Sequence, residues 1–173
     1  MKDADYWIRT LQLIKHPEGG YFREAYRSPE TLGEEALPPR YGGPRSFCTS
    51  IYFLLKGDEF SQLHRLKSDE LWHFYTGSSL TIHTISQNGK HSIFSLGNNV
   101  EHGELFQFTI QAGQWFGALV NDTTSYSLIG CTVSPGFDFE DFELGNEREL
   151  VRLFPQHKSI ISKLTRRLPE SAQ

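Results

Sequence analysis

The sequence predicts an all-β barrel with a short helix at each end. Three observations carry this. From Tyr21 onward apolar and polar residues alternate with a period of two, as in strands that bury one face. Turn formers such as Asn88-Gly89, Gly97-Asn98-Asn99 and Ala112-Gly113 interrupt that alternation at the short intervals of an antiparallel barrel. Helical spacing shows only near the two ends.

In the N-terminal stretch Trp7, Leu11 and Ile14 recur at near-helical spacing, so residues 3–15 are expected as a helix. Asp3 or Asp5 would cap it, and His16-Pro17-Glu18-Gly19-Gly20 would end it. Strands are expected over residues 21–27 and 46–55, and the Gly-, Pro- and Glu-rich stretch 29–44 between them reads as a surface loop. Further strands follow over 62–66, 71–76, 79–86, 92–96, 105–110, 115–119, 125–133 and about 137–143. In the last of these the apolar positions 137, 139, 142 and 144 slip by one residue, which reads as a bulge near Glu140 and Asp141. The barrel thus covers about 20–145 and a helical tail covers 147–168, clearest from Ile160 on. The 173 residues read as a single domain, long enough for one closed core.

Composition narrows the function. A net charge of −4 gives no basic stripe with which to displace counterions, so no nucleic-acid partner is expected. No run approaches the roughly 18 apolar residues of a membrane span, and the N-terminus lacks the pattern of a secretory signal, so a soluble, cytoplasmic protein is expected. Cys48 and Cys131, both in strand-like apolar runs, read as buried thiols rather than a disulfide. Dinucleotide, phosphate-loop, zinc and serine-nucleophile motifs are not found.

Residues 57–77, GDEFSQLHRLKSDELWHFYTG, concentrate the chemistry. On regular strands Phe60, Gln62, His64 and Leu66 share one face. After the KSD turn Glu70, Trp72 and Phe74 share a face, while Leu71, His73 and Tyr75 point away. This order resembles the first motif of the cupin superfamily, jelly-roll barrels (double-stranded β-helices) in which a glycine, a His-x-His pair, a Glu and a closing glycine line a metal pocket. His64 matches the first His, Glu70 the Glu and Gly77 the closing glycine, but Leu66 stands where the second His belongs. The counterpart of the second motif is residues 111–116, QAGQWF, followed by Asn121, and Phe116 holds its His position. Two donors are too few for a protein-held divalent metal, so no metal and no cofactor are expected. In the metal-dependent alternative His73 is the third donor, and only a bulge would turn it inward.

The resemblance extends further. HPEGGYFREAYRS (residues 16–28), TSIYFLL (49–55), HRLKSDELWHFYTG (64–77), GQWFGA (113–118) and GCTVSPGFDFEDFELG (130–145) together resemble the Cupin_5 family, a largely uncharacterised family first defined as a domain of unknown function. It implies a cupin jelly-roll similar to that of the sugar-nucleotide epimerases of the RmlC-like group, and a homodimer.

The candidate catalytic residues are His64, an imidazole tunable near neutrality, and Glu70, which would orient His64 or bind ligand hydroxyls. Their bland alternatives are a structural histidine, and a glutamate paired with Arg65 or Lys67. Gln62, Trp72, Phe74 and Trp115 are candidate ligand contacts by strand face and motif position. Asp138 and Phe139 join them if the bulge re-aims that segment, against the alternative of an edge strand with solvated acids. Tyr21 and Arg23 share a face, and with Arg27 and Arg45 they form a set suited to an anionic ligand. Otherwise these arginines pair with Glu18, Glu24 or the acids of residues 138–143. The function expected is binding of a small polar metabolite, a nucleotide or nucleotide sugar by the resemblance, with metal-free epimerisation or isomerisation using His64 as base. The competing classes are a non-catalytic binding or sensor module and a metal-dependent enzyme.

Overall fold

A computed structural model describes residues 2–165. The chain opens with helix α1 (Ala4–Thr10), then runs through β1 (Ile14–Lys15), β2 (Tyr21–Arg27), β3 (Thr31–Leu32), β4 (Arg45–Ser46), β5 (Thr49–Lys56), β6 (Phe60–Leu66) and β7 (Asp69–Gly77). It continues with β8 (Leu80–Ile85), β9 (His91–Leu96), β10 (Gln107–Ile110), β11 (Trp115–Val120), β12 (Tyr126–Ser134) and β13 (Phe142–Leu144), and ends with α2 (Glu147–Leu153) and α3 (Lys158–Lys163). Two antiparallel sheets, ordered β1-β2-β5-β12-β7-β10 and β13-β6-β11-β8-β9, face each other as in a jelly-roll.

Strand alternation sorts the apolar residues into three clusters. Phe53, Leu55, Trp72, Ile82, Phe116 and Ile129 belong to the cluster between the sheets. Leu13, Leu54 and Leu128 lie on the other face of the six-stranded sheet, where Trp7 and Ile8 of α1 cover them. Leu63, Ile85 and Trp115 lie outside the five-stranded sheet under Leu150 of α2 and Ile161 of α3. Each of these helices covers a stripe of sheet that would otherwise face water.

Several expectations are corrected. The N-terminal helix is capped by Asp3, whose carboxylate accepts from Tyr6 N–H at 2.7 Å, but it ends at Thr10 rather than 15. Gln12 takes φ 53°, which a helix does not allow, and Ile14 then pairs in register with Phe22. No bulge forms at Glu140 and Asp141. Residues Phe139–Asp141 make a 3-10 turn capped by Asp138, whose Oδ1 accepts from Glu140 N–H at 2.9 Å. The loop 29–44 carries the short strand β3, and it buries Tyr41. The helical tail expected over 147–168 is divided into α2 and α3, with α3 ending at Lys163, and residues 166–168 lie outside the described residues.

One buried ion pair ties the β3–β4 hairpin to the 3-10 turn. Arg45 donates from Nε and Nη2 to Asp141 at 2.7 and 2.8 Å, and Lys67 stands 3.3 Å from the same carboxylate. Hydrogen bonding to Asp141 raises the Arg45 pKa. Burial pushes the Asp141 carboxyl up, but Arg45 and Lys67 outweigh it and the net shift is downward. Both side chains are shielded by contact yet lie just beneath the surface, so the lower end of the range for a broken buried pair applies. Arg45→Met is expected to cost about 3 kcal/mol in urea unfolding, and an unchanged midpoint would show that the pair holds nothing in place.

Candidate functional site

The site begins with two places where backbone approaches backbone. The His16–Gly20 turn folds against β5, and at Gly20, with φ +70°, a Cβ would sit 2.7 Å from the Leu54 carbonyl oxygen. Glycine therefore fixes the turn that carries Glu18 into the barrel. On the opposite sheet β6 has one extra residue against β11: Phe116 pairs with His64 but Ala118 pairs with Ser61. A Cβ on Gly117 would meet the Ser61 carbonyl oxygen at 2.7 Å, so this bulge too depends on a glycine. It turns both Ser61 and His64 inward, while Phe60 packs in the outer cluster with Leu63.

Glu18, 5% exposed, and His64, 2% exposed, meet inside. Oε2 of Glu18 lies 3.1 Å from Nε2 of His64, and Ser61 donates to Oε1 at 2.8 Å. The Nδ1 of His64 is 2.6 Å from the Gln62 carbonyl oxygen. A carbonyl can only accept, so Nδ1 carries the proton and the other nitrogen is left to accept or to be charged. Burial decides between these. It lowers the His64 pKa to about 3, with a further push from His16, against the opposing hydrogen bond to Gln62. Burial also pushes Glu18 well up, with Glu70 adding to it and Ser61 opposing. Burial thus acts against the charge on both groups, which favours a carboxyl donating to an imidazole over an ion pair. His16, on the same turn, is held down to about 4 by burial, with its Nδ1 3.4 Å from Glu18.

Glu70, 7% exposed, faces the same cavity from β7. Burial raises its pKa to about 7, partly countered by the Trp72 indole and the Cys131 thiol beside it. Neither neighbour closes a hydrogen bond of ordinary geometry on Oε2. Glu70 Oε2 and Trp72 Nε1 are both buried with no hydrogen-bond partner among the described residues.

The cavity holds about 230 Å³ and opens beside the segment leading into β13. Its aromatic wall is a cluster: Phe142 lies 5.4 Å from the His64 ring and 5.8 Å from His16, and Phe137 lies 6.1 Å from Phe142. Phe139, 56% exposed, stands at the mouth. Arg27 reaches the cavity because β2 bulges between Glu24 and Tyr26, which turns residue 27 inward. There its guanidinium bonds Glu24 at 2.7 and 3.0 Å and the Phe137 carbonyl at 3.1 Å.

Of the sequence-derived candidates, the cavity gathers His64, Glu70, Asp138 and Phe139. Gln62 is displaced by the β6 bulge: its side chain donates to the Gly145 carbonyl at 3.2 Å, and its backbone holds Glu18 and His64. Trp72 and Phe74 do share the face of Glu70, but they pack in the core between the sheets rather than on the cavity wall. Tyr21 and Arg23 do share a face, yet it is the outer one: Tyr21 packs under α1, and the Arg23 guanidinium sits over Tyr52. Trp115 faces out as well, under the C-terminal helices with Arg65 over its ring at 4.6 Å. His73 points outward, its Nε2 3.3 Å from Thr132 Oγ1. Arg65 and Lys67 pair with Glu143 and Asp141, so neither neutralises Glu70. The residue missed was Glu18, read only as a surface partner for arginine. The signal was available in His16-Pro17-Glu18-Gly19-Gly20, a turn whose paired glycines allow a close approach.

Residues 5–145 match the profile of Cupin_5, described as Cupin superfamily (DUF985). The chain belongs to the Cupin_5 family. It is 43% identical to protein SO0799 from Shewanella oneidensis, covering 97% of this chain and 100% of that one with a TM-score of 0.86. It is 32% identical to uncharacterized protein YML079W of Saccharomyces cerevisiae, covering 88% of this chain and 80% of that one. An oxalate decarboxylase of Bacillus subtilis shares the fold at 17% identity and TM-score 0.52, over 40% of its own length. No helix among the described residues is long and apolar enough to cross a membrane.

The cupin metal does not fit these residues. Leu66 and Phe116 stand at two donor positions, and the Phe116 ring lies 4.0 Å from the His64 ring. Both nitrogens of His64 are engaged by protein groups. Among the described residues no three His, Cys, Asp or Glu side chains are grouped to hold a metal ion. Cys131 and Cys48 are free thiols, the first buried and pushed well up by burial.

Glu70 has a consequence for stability. Its folded pKa of about 7 lies above the ordinary 4.5, so between those values the folded chain keeps a proton that the unfolded chain releases. Stability is therefore lost as pH rises from 4.5 to 7, by at most about 3 kcal/mol. Glu70→Gln, uncharged and of equal size, is expected to melt several degrees higher than the parent at pH 8 and equally at pH 4.5; parallel melting curves at both would refute it.

Proposed function

We propose that this cupin binds a small polar metabolite in the barrel cavity, preferably a nucleotide sugar, and isomerises or epimerises it by proton transfer without a metal. What supports this is the buried Glu18–His64 pair on the cavity wall, 3.1 Å apart. Its roles differ from those expected of His64 alone. When Glu18 passes its proton to Nε2, the carboxylate left behind is the base that removes a proton from carbon next to a carbonyl, and the imidazolium keeps the pair neutral overall. The carboxyl so formed gives the abstracted proton to another carbon of the substrate or to water, and only then does the His64 proton return to Glu18. Asp138, on the wall before β13, is the candidate to protonate the other face of the carbon. A cavity of about 230 Å³ suits one sugar ring, smaller than the usual range for whole drug-sized ligands. The nucleotide would lie at the mouth, where Phe139 offers a flat ring and Arg27 a guanidinium fork for phosphate once it leaves Glu24.

A non-catalytic binding module is favoured by one observation: in the resting pair the hydrogen-bonding groups of His64 are already satisfied. Incubation of the protein with UDP- and dTDP-sugars in D2O separates the two. Carbon-bound deuterium detected by NMR is expected with the parent protein. It should fall at least 100-fold in Glu18→Gln, which keeps the hydrogen bond to His64 but cannot release a proton, and in His64→Ala, while thermal shifts with the same sugars persist. Binding without deuterium uptake by the parent would support the module instead.

We also propose a cytosolic homodimer. The exposed rings of Tyr26 and Tyr75 on the six-stranded sheet support a self-contact there, and the free thiols suit a reducing compartment. Light scattering on the purified protein is expected to give twice the 19.8 kDa chain mass, and a monomer at all concentrations would refute the dimer.

A further inference from the structure

Ser61 does not line the cavity, yet it touches the carboxyl that does. Its side chain is fully buried, at 0% exposure, and its hydroxyl donates to Glu18 Oε1 at 2.8 Å. Ser61 and His64 stand an odd number of residues apart, so on a regular strand they would point to opposite faces. The β6 bulge opposite Gly117 removes that opposition. The two side chains then reach the two oxygens of one carboxyl: Ser61 holds Oε1, and His64 Nε2 lies 3.1 Å from Oε2.

Filling space does not account for a serine here. Burying a hydroxyl costs free energy unless it finds a partner, and alanine would fill nearly the same volume without that cost. The bond to Glu18 does account for it, and the bond has a direction. Because Oε1 accepts from the hydroxyl, the carboxyl's own proton belongs on Oε2, beside the His64 nitrogen that carries none. Once that proton moves to His64, Ser61 donates to a charged oxygen, and such a bond is roughly twice as strong as one between neutral groups. We propose that Ser61 is a positioning residue for the proton transfer: it places the Glu18 proton on Oε2, facing His64, and stabilises the carboxylate that the transfer leaves behind. In that step the Glu18 O–H bond breaks and an N–H bond forms at His64 Nε2, while Ser61 keeps its own proton. The part Ser61 plays in catalysis rests on the proton-transfer reaction proposed above; its placing of the proton rests on the hydrogen bonds alone.

The electrostatics agree with this role. Burial and the charge of Glu70 on β7 push Glu18 up, and the Ser61 hydroxyl is the group that opposes them. The other titratable groups around the carboxyl act alike whether or not the hydroxyl is there. His64 on β6 is held down to about 3 and His16, on the same turn as Glu18, to about 4; the Cys131 thiol on β12 is pushed well up, and Glu70 titrates at about 7. Removing the hydroxyl therefore raises Glu18 further, so that it ionises at a higher pH.

The experiment compares the parent protein with Ser61→Ala and uses Glu18→Gln to assign the signal. Infrared spectra of the ligand-free protein in D2O, recorded as pH is raised, are expected to show a protonated-carboxyl C=O band that Glu18→Gln lacks. A hydrogen bond accepted by the C=O oxygen weakens that bond, so in Ser61→Ala the band is expected at higher wavenumber. The pH at which it fades should rise by about one unit. Deuterium uptake into UDP- and dTDP-sugars at pH 7 should slow about tenfold in Ser61→Ala, with the rising limb of its pH profile displaced upward by the same unit. A space-filling residue would move neither. Melting curves establish that the variants are folded, and Ser61→Cys, close in shape but a weaker donor, is expected between parent and alanine in band position and should it alone fold decides the matter by the same shift. A band that stays in place or moves to lower wavenumber would overturn the proposal. The lack of any Glu18 carboxyl band in the parent would overturn it together with the shared proton of the Glu18–His64 pair. Deuterium uptake by none of the proteins, with the band displaced as expected, would remove the isomerase reading and uphold the placing of the proton by Ser61.

Discussion

The interaction on which the site depends is the contact between Glu18 and His64 inside the barrel. Neither group belongs in an apolar interior as an ion, and their burial is tolerated because one proton shared along a 3.1 Å line lets both stay neutral. The rest of the geometry serves that contact. Gly20 lets the turn bearing Glu18 press against β5, and Gly117 lets β6 bulge so that His64 faces the turn. Gln62, the residue given up to the bulge, holds both partners through its backbone: its N–H binds the Glu18 carbonyl at 2.8 Å and its carbonyl fixes the His64 tautomer.

A similar economy governs the aromatic wall. The segment between β12 and β13 forms a 3-10 turn, so few ladder hydrogen bonds hold it. Besides backbone bonds from Gly136 N–H to the Ser46 carbonyl and from Lys67 N–H to the Asp141 carbonyl, its attachments involve side chains. Asp141 is gripped by Arg45, the Phe137 N–H donates to Thr49 Oγ1 at 2.9 Å, and Arg27 takes the Phe137 carbonyl. Residues distant in sequence thereby set the position of Phe137, Phe139 and Phe142 over the cavity. Arg45 and Arg27, which from the chain alone looked equally suited to an anionic ligand, divide into one arginine that pins the wall and one that lines the mouth.

Loss of the second histidine to Leu66 and of the next motif's histidine to Phe116 does more than remove metal donors. Phe116 packs on the His64 ring, and its neighbour Gly117 is the residue opposite the bulge, so the same short stretch of β11 both closes the metal position and brings Glu18 into contact. Glu70 retains its place on the cavity wall without a cation or basic side chain to neutralise it, which is why burial carries its pKa up to about 7.

The sequence by itself determined the all-β class, the family, and the inward setting of Glu70, because period-two alternation and motif order are written locally. It also placed His64, Glu70, Asp138 and Phe139 among the cavity residues. What it could not give was parity across irregularities. A bulge in β2 turned Arg27 inward, and a bulge in β6 moved Gln62 off the cavity face, and each depends on how a neighbouring strand pairs. Tyr21, Arg23 and Trp115 alternate as expected, but only the docking of α1 and of the C-terminal helices decided that their faces are the outer ones. Glu18 lies 46 residues before His64 in the chain, and a contact over that separation exists only once the two sheets have closed on each other.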